Sequence, residues 1–533
     1  MQLFFLTPVG IPTDTGKTEA SVMTSQSLIS LSVVVLLWAV AWQLRSLKLR
    51  QAILLAASYL FYANWGIGLL SVLIASSLMN YALGIVLRRQ PTAGRLWISV
   101  ACNVVLLSFF KYLPPLLEGA PANALLPDFL HRIVMPVGMS FWTFQGLSYL
   151  FDTYREEELD PSLLEFCLYM AFWPTVLAGP VCRLPNMLPQ FRRLSGFNLA
   201  DISVGARRLL QGVMMKTVLA QILASGLSPG SGVTAGFDQM KSGWGGLDVL
   251  LLGIGFGFQL FFDFAGYSHM VIGAARLFGM QLEENFHRPF YSLTPSVFWT
   301  RWHMSLSFWI RDYIFVPLAA SRRDVWWPYV VFVLAMTLFG LWHAAKATFI
   351  LWGIYHGLLL VAHRLGQRIK RRQPITWPAS LGALLSWAST FCFVSLGWIF
   401  FRAHDLDQAL VMFRTAFLPS CYRQFALPPT FYILVPVMAI GYFICNHMES
   451  FLLAWSARYG EEFRNSGELG IPLRPMGSLA GVNMIAAALF NFFSERMWWW
   501  LIPTVLVLSV FISLAIFTQG SAIPVTPFMY TIF

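Results

Sequence analysis

Residues 326–345 read WWPYVVFVLAMTLFGLWHAA, and this stretch decides the fold class. It is almost wholly apolar over the ~20 residues that a helix needs to cross the hydrocarbon core of a bilayer. The exception is His343, an ionisable side chain close to its end. Ionisable groups at membrane depth are costly and usually serve a function. The stretch therefore predicts a membrane helix that carries an imidazole into a functional site.

Similar apolar runs recur along the whole chain. Its 533 residues are 57% hydrophobic and 11% charged, whereas soluble domains carry about 25% charged residues. Only helices satisfy every backbone group within such long runs. We therefore predict an all-α, polytopic transmembrane fold with about eleven to thirteen crossings plus re-entrant helices. The predicted spans are 27–44, 52–70, 71–87, 96–113, 133–151, 162–180, 204–226, 246–262, 264–280, 326–342, 346–363, 380–401, 429–447, 478–493 and 497–518.

The net charge of +11 follows the pattern of membrane topology. Basic residues cluster in short loops between apolar runs, at 45–50, 88–95, 207–208 and 364–372. Cytoplasmic loops are enriched in Lys and Arg, so we expect these loops on the cytoplasmic side and no nucleic-acid partner; a patch for anionic membrane lipids or substrate is the alternative. A continuous helix over 346–363 would then place His343 roughly 30 Å from the basic cluster at 364–372, toward the opposite side of the membrane.

A second histidine lies in a segment unlike the other apolar runs. Residues 298–318 are too polar to face lipid and too aromatic for a free loop, which favours a re-entrant or buried amphipathic helix. At helical spacing His303 and Ser307 share a face, and Arg311 continues it. The scattered cysteines and histidines match no metal-ligand spacing, so we predict no metal site and no bound cofactor.

These residues suit the transfer of an acyl group to a hydroxyl. The reaction needs a base for the hydroxyl proton and donors for the oxyanion, and an imidazole titrates near working pH. His343 is the candidate base, while His303, Ser307 and the indoles of Trp302 and Trp342 are candidate orienters or oxyanion donors. The alternative for His343 is a helix–helix hydrogen bond.

Asp263 is a carboxylate inside an apolar run, and Tyr267 lies one helical turn further on. Residues four apart on a helix share a face. The pair either shapes a polar cavity or forms a buried structural hydrogen bond.

Several sequence blocks, in order, resemble the membrane-bound O-acyltransferase family, and in particular its branch that acetylates bacterial polysaccharides. The blocks are Met135–Gln145, Ala178–Pro180, Phe262–Ser268, Glu284–Phe286, Phe298–Tyr313 and Gly340–His343. Each block is weakly specific, whereas the ordered set is highly specific. The resemblance extends over about residues 50 to 533, and the N-terminal 25 residues are outside it.

The resemblance implies a helical ring around a funnel or tunnel, with His343 catalytic and His303 its partner. We also predict substrate contacts from Asp263, Tyr267, Asn285, Trp302, Ser307, Arg311 and Trp342. The implied reaction moves an acetyl group from cytoplasmic acetyl-CoA across a bacterial inner membrane. A separate periplasmic acetyltransferase would then finish the transfer to an exported or envelope polysaccharide. The expected divisions are an N-terminal segment 1–26, transmembrane helices 27–130, a catalytic core 131–405 and C-terminal helices 406–533.

Three alternatives keep the membrane fold but change the function. A D-alanyl transferase would use a carrier-protein donor, and a lipid or protein O-acyltransferase would differ in its acceptor. A non-enzymatic transporter would not need His343, and many transporters contain internal repeats. The sequence contains no internal repeat that we detect, so it gives the transporter no support.

Overall fold

The computed structural model describes residue 40 and residues 43–114, 133–155, 159–194, 198–228, 230–238, 243–372 and 378–465. The predicted N-terminal segment and the predicted spans 478–493 and 497–518 lie outside these ranges, as does nearly all of 27–44.

Every regular element within the described ranges is helical. The α-helices are α1 Leu47–Ala63, α2 Ile67–Arg89, α3 Ala93–Lys111, α4 Met139–Tyr154, α5 Leu163–Ala171, α6 Leu184–Phe191, α7 Leu199–Val213, α8 Gln221–Ser225, α9 Val233–Asp238, α10 Gly246–Leu277, α11 Pro295–Trp299, α12 Met304–Ile310, α13 Val316–Ala320, α14 Trp327–His343, α15 Ala347–Arg372, α16 Ala379–Arg402, α17 Leu406–Ala416 and α18 Pro429–Asn465. Two π-helical segments, Met214–Ala220 and Arg311–Phe315, and two 3₁₀ turns, Pro289–Tyr291 and Pro419–Arg423, complete the set.

Six of the described helices contain stretches long and apolar enough to cross a membrane: α2, α3, α10, α15, α16 and α18. Helix α14 is apolar but shorter, at 17 residues. The prediction of an all-α, multi-pass membrane fold is confirmed. The number of crossings stays a prediction, because several predicted spans lie outside the described residues.

The predicted break between 246–262 and 264–280 was wrong. These residues form the single helix α10, which is 32 residues long. Asp263, the residue between the two predicted spans, forms an ion pair with Lys216, and pairing lowers the cost of an ionised group at membrane depth. At 1.5 Å per residue α10 is about 48 Å long, so it crosses at a tilt or extends beyond a hydrocarbon core of about 30 Å.

The predicted span 162–180 was also wrong, because α5 ends at Ala171 and an irregular, largely buried segment follows. Pro174 and Pro180 in this segment cannot donate a backbone hydrogen bond. Irregular backbone at membrane depth is tolerated where the protein itself buries it. Here the Val181 N–H donates to the Ser305 hydroxyl over 2.9 Å, so the segment is fixed against α12.

Two apolar clusters organise the described helices. One is centred on α10 and includes residues of α14, α15 and α16, whereas the other joins α1, α2, α4 and α5. Helices α14 and α15 approach closely at two glycines. A Cβ atom at Gly340 would lie 2.1 Å from the Phe349 carbonyl oxygen, and one at Gly353 would lie 2.2 Å from the Met336 carbonyl oxygen. This close contact places the end of α14 inside the first cluster.

Candidate active site

His343 is the last residue of α14, and its ring lies among aromatic side chains. The ring centroids of Trp342, Phe339 and Phe401 lie 4.6, 5.0 and 5.0 Å from the imidazole centroid, and that of Trp352 lies 5.6 Å away. The residue is half-buried. Its Nδ1 atom is buried, and no group among the described residues hydrogen-bonds to it. Packing rather than hydrogen bonding therefore holds Nδ1 of this imidazole among the described residues.

His303 does not lie on a helix face as its spacing with Ser307 suggested. Helix α12 begins at Met304, and His303 precedes it with φ 43° and ψ 54°, in the left-handed region. This conformation is strained for any residue with a Cβ, and it persists where the surrounding structure enforces it. The Met304 N–H donates to the Asn285 carbonyl oxygen over 2.8 Å, which fixes the backbone at this point.

The side chain of Asn285 holds the imidazole of His303. Asn285 is fully buried, and its amide donates to the Ser268 hydroxyl on α10 over 3.1 Å. Its Oδ1 accepts from the Ser305 hydroxyl over 2.6 Å and lies 3.3 Å from Nδ1 of His303. Since Oδ1 only accepts, the network assigns the imidazole proton to Nδ1. Asn285, predicted to bind substrate, therefore orients His303 in this structure.

A row of indoles connects the surroundings of His343 and His303. Trp302 and Trp398 have centroids 4.9 Å apart, and Trp398 stacks on Trp352 at 6.3 Å. Trp352 in turn contacts His343. The structure thus brings together four predicted residues, namely His343, His303, Trp302 and Trp342.

The other predicted residues lie in different surroundings. Asp263 pairs with Lys216, and Tyr267 lies one turn further along α10. The Ser307 hydroxyl donates to the Trp302 carbonyl oxygen over 3.0 Å. Arg311 is more than half exposed and pairs with Asp312 over 2.6 Å. The guanidinium of Arg311 is therefore engaged by a neighbouring carboxylate.

Sequence reasoning missed Lys111 at this site. Lys111 is buried at the end of α3, and its ammonium donates to the carbonyl oxygen of Trp342. The ammonium also lies 4.9 Å from the centroid of the Trp342 ring, next to His343 in the chain. The signal was present, because Lys111 ends an apolar run and an ionisable group there suggests function by the same reasoning as His343.

His356 contributes a third imidazole to the aromatic surroundings of His343. Its ring packs edge-on against Trp299 at 5.2 Å and against Trp352 at 5.0 Å. Both of its nitrogens are buried without a hydrogen-bond partner among the described residues. Trp352 therefore lies against both His343 and His356.

Comparison with known proteins places this site inside a matched family region. The model of the membrane-bound O-acyltransferase family matches residues 60–404, which include all three imidazoles. A second model, of a family of unknown function (DUF5989), matches residues 484–533.

Three relatives illustrate the range of similar proteins. The probable alginate O-acetylase AlgI of Pseudomonas putida is 33% identical over 383 residues, covering 69% of this chain and 75% of the relative. The peptidoglycan O-acetyltransferase of Helicobacter pylori is 32% identical over 390 residues, covering 67% and 72%. The teichoic acid D-alanyltransferase of Streptococcus thermophilus is 32% identical over 244 residues, covering 44% and 58%. The chain therefore belongs to the membrane-bound O-acyltransferase family and is a multi-pass membrane enzyme that transfers acyl groups to oxygen.

Proposed function

We propose that this enzyme takes acetyl groups from cytoplasmic acetyl-CoA and passes them outward for O-acetylation of an exported or envelope polysaccharide. Two of its relatives are described as acetylating alginate and peptidoglycan, at 33% and 32% identity. The observation that carries the proposal is the arrangement of His343. Its imidazole is held by packing, its Nδ1 is buried without a hydrogen-bond partner among the described residues, and a row of indoles connects it to the region of His303.

His343 would act on the acceptor hydroxyl. The hydroxyl proton moves to the imidazole while the oxygen bonds to the acetyl carbonyl carbon. The bond from that carbon to the donor sulfur then breaks, and the departing thiolate takes the proton from the imidazole. Such general-base help is worth about 10² to 10⁴ in rate. In a second route, a nitrogen of His343 bonds to the acetyl carbonyl carbon as the CoA thiolate leaves. The acceptor oxygen then bonds to that carbon, the carbon–nitrogen bond breaks, and the hydroxyl proton passes through the imidazole to the thiolate.

His303 would support this step as a fixed neighbour. Its Nδ1 is directed to Asn285, and its Nε2 is buried without a partner among the described residues. A nitrogen held in this way orients or polarises a bound group with little reorganisation during the reaction. Trp302 and Trp342 would line the same space, while Asp263 and Tyr267 would contact the acyl donor from α10.

The acceptor side of the proposal includes a partner protein. A periplasmic acetyltransferase would receive the acetyl group and complete its transfer to the glycan, and the membrane would be the bacterial inner membrane. The basic loops at 88–95 and 364–372 support a cytoplasmic side for the donor.

Mass spectrometry of the envelope polymers tests this function. Cells that lack the chain should lose O-acetyl groups from one polymer, and expression of the full chain should restore them. Membrane vesicles supplied with radiolabelled acetyl-CoA should transfer label to the same polymer. An unchanged acetyl content in every exported and envelope polymer of cells lacking the chain would reject the proposal.

Transfer of D-alanine is the second candidate, because one relative is described as a teichoic acid D-alanyltransferase. The donor of D-alanine would be a carrier protein rather than acetyl-CoA. Cells fed with radiolabelled D-alanine distinguish the two functions: label in a polymer that depends on this chain favours D-alanyl transfer, whereas acetyl label alone favours the first proposal.

A further inference from the structure

Lys111 is a buried cation at the end of α3, only 9% exposed. None of the ion pairs found among the described residues includes it. A buried charge is costly unless hydrogen bonds or an opposite charge compensate for it. The compensation here comes from the C-terminal end of α14 and from the ring of Trp342.

The ammonium of Lys111 caps the C-terminal end of α14. It donates to the Trp342 carbonyl oxygen and lies 4.9 Å from the centroid of the Trp342 ring. The last carbonyls of a helix lack partners within that helix and carry partial negative charge, which favours a cation. The contact joins residues 231 positions apart in the chain. Through it, α3 fixes the last turn of α14, where His343 directly follows Trp342.

A neutral contact supports the same turn. The Tyr112 hydroxyl donates to the Leu341 carbonyl oxygen over 3.0 Å. Lys111, the last residue of α3, and Tyr112, which follows it, therefore hydrogen-bond to two consecutive carbonyl oxygens of α14. Only Lys111 brings a charge, and the carbonyl oxygen that it binds belongs to the residue directly before His343.

We propose that Lys111 is a positioning residue for acyl transfer, whose ammonium anchors the end of α14 so that the imidazole of His343 meets the acyl donor in a reactive orientation. This inference rests on the proposed function. It requires a cation and not merely a side chain of similar length, because charge-assisted hydrogen bonds are roughly twice as strong as neutral ones.

Rates in inverted membrane vesicles supplied with radiolabelled acetyl-CoA test the proposal. Lys111→Met should lower kcat about 10- to 100-fold, the scale of a misplaced catalytic group, while KM for acetyl-CoA changes less than about 2-fold. Lys111→Arg should recover most of kcat, and Lys111→Gln should lie between them. Tyr112→Phe, the matched neutral control, should cost less than about 5-fold, as expected for one neutral hydrogen bond.

Two results would overturn the proposal. One is a Lys111→Met enzyme with the kcat of the parent chain. The other is an equal loss of kcat in the Met, Gln and Arg variants together with an equal fall in their thermal midpoints, which would indicate packing alone. If Lys111→Met does not accumulate in membranes, Lys111→Gln carries the test, and a Gln variant equal to the parent rejects the proposal. Failure of the proposed function itself would appear separately, as the absence of acetyl transfer from acetyl-CoA by the parent chain.

Discussion

The two histidines of the candidate site are held in opposite ways. His343 ends a regular helix, and its ring is surrounded by other rings, with Nδ1 unpartnered among the described residues. His303 lies between elements in a left-handed conformation, and Asn285 holds one of its nitrogens. Packing rather than hydrogen bonding holds the first imidazole, which suits the proposed transfer of a proton or an acyl group. The hydrogen bonds of the second fix its orientation, which suits a supporting role.

The comparison predicts that loss of the His343 imidazole has the largest effect. His343→Phe keeps an aromatic ring of similar size, so the packing should persist. Polymer acetylation should still fall by about 10³-fold, within the range expected for loss of a general base. His356→Phe is the matched control, because His356 packs against the same Trp352, and it should retain activity within a few-fold. Labelled transfer in vesicles measures both. Equal losses in the two variants would contradict a special role for His343.

His303 combines a ring and an unusual backbone, and two substitutions separate them. Asn adopts the left-handed region more easily than other residues with a Cβ, whereas β-branched Val does so rarely. His303→Asn should therefore lower the rate about 100-fold, by loss of the imidazole, and leave the thermal midpoint near that of the parent. His303→Val should lower both rate and midpoint. An active His303→Asn enzyme would show that only the backbone matters.

Asn285 should matter through His303 rather than through stability alone. Asn285→Ala removes the acceptor that orients the imidazole, and we expect a fall in kcat of about 10-fold, comparable to loss of an outer-shell partner. Asn103→Ala is the control, because Asn103 is also a buried amide and pairs with Asn80 in the N-terminal helices. It should lower the thermal midpoint without a matching loss of kcat. Parallel effects of the two substitutions would argue against a positioning role.

The smallest effect on catalysis should come from a substitution at the contact between α14, which carries His343, and α15. Gly353→Ala would place a Cβ 2.2 Å from the Met336 carbonyl oxygen. Such overpacking costs about 1–3 kcal/mol, so the thermal midpoint should fall. Gly441→Ala has open space around the added methyl group and should be neutral or slightly stabilising, since Ala favours helix more than Gly. Thermal unfolding of the detergent-purified protein checks both, and equal midpoints would contradict the close approach of α14 and α15.

The same contrast explains how much the sequence could predict. The helix that carries His343 was predicted within one residue, because an apolar run of membrane length that ends in an ionisable group is a local pattern. The surroundings of His303 depend on Asn285, 18 residues away, and on a left-handed conformation that has no clear signature at a histidine. Helical spacing therefore placed His303 and Ser307 on one face, although the helix begins only at Met304.

Contacts between residues far apart in the chain were even harder to predict from the sequence. The break predicted at Asp263 was wrong because its partner, Lys216, lies 47 residues earlier. The contact of Lys111 with Trp342 likewise depends on tertiary packing. Apolar periodicity reports which residues avoid water, and it carries no information about which buried polar groups meet.

Access to the imidazole of His343 from both sides of the membrane tests this mechanism most directly. His343→Cys, in a chain whose six natural cysteines are replaced, is exposed to small membrane-impermeant thiol reagents in right-side-out and in inverted vesicles. The buried Met336 on the same helix, substituted as Met336→Cys, is the control and should remain unlabelled. We expect His343→Cys to react from both faces, because a donor and an acceptor from opposite compartments must reach this position. Absence of labelling from both faces would mean that position 343 is sealed within the protein, and His343 would then have no part in acyl transfer.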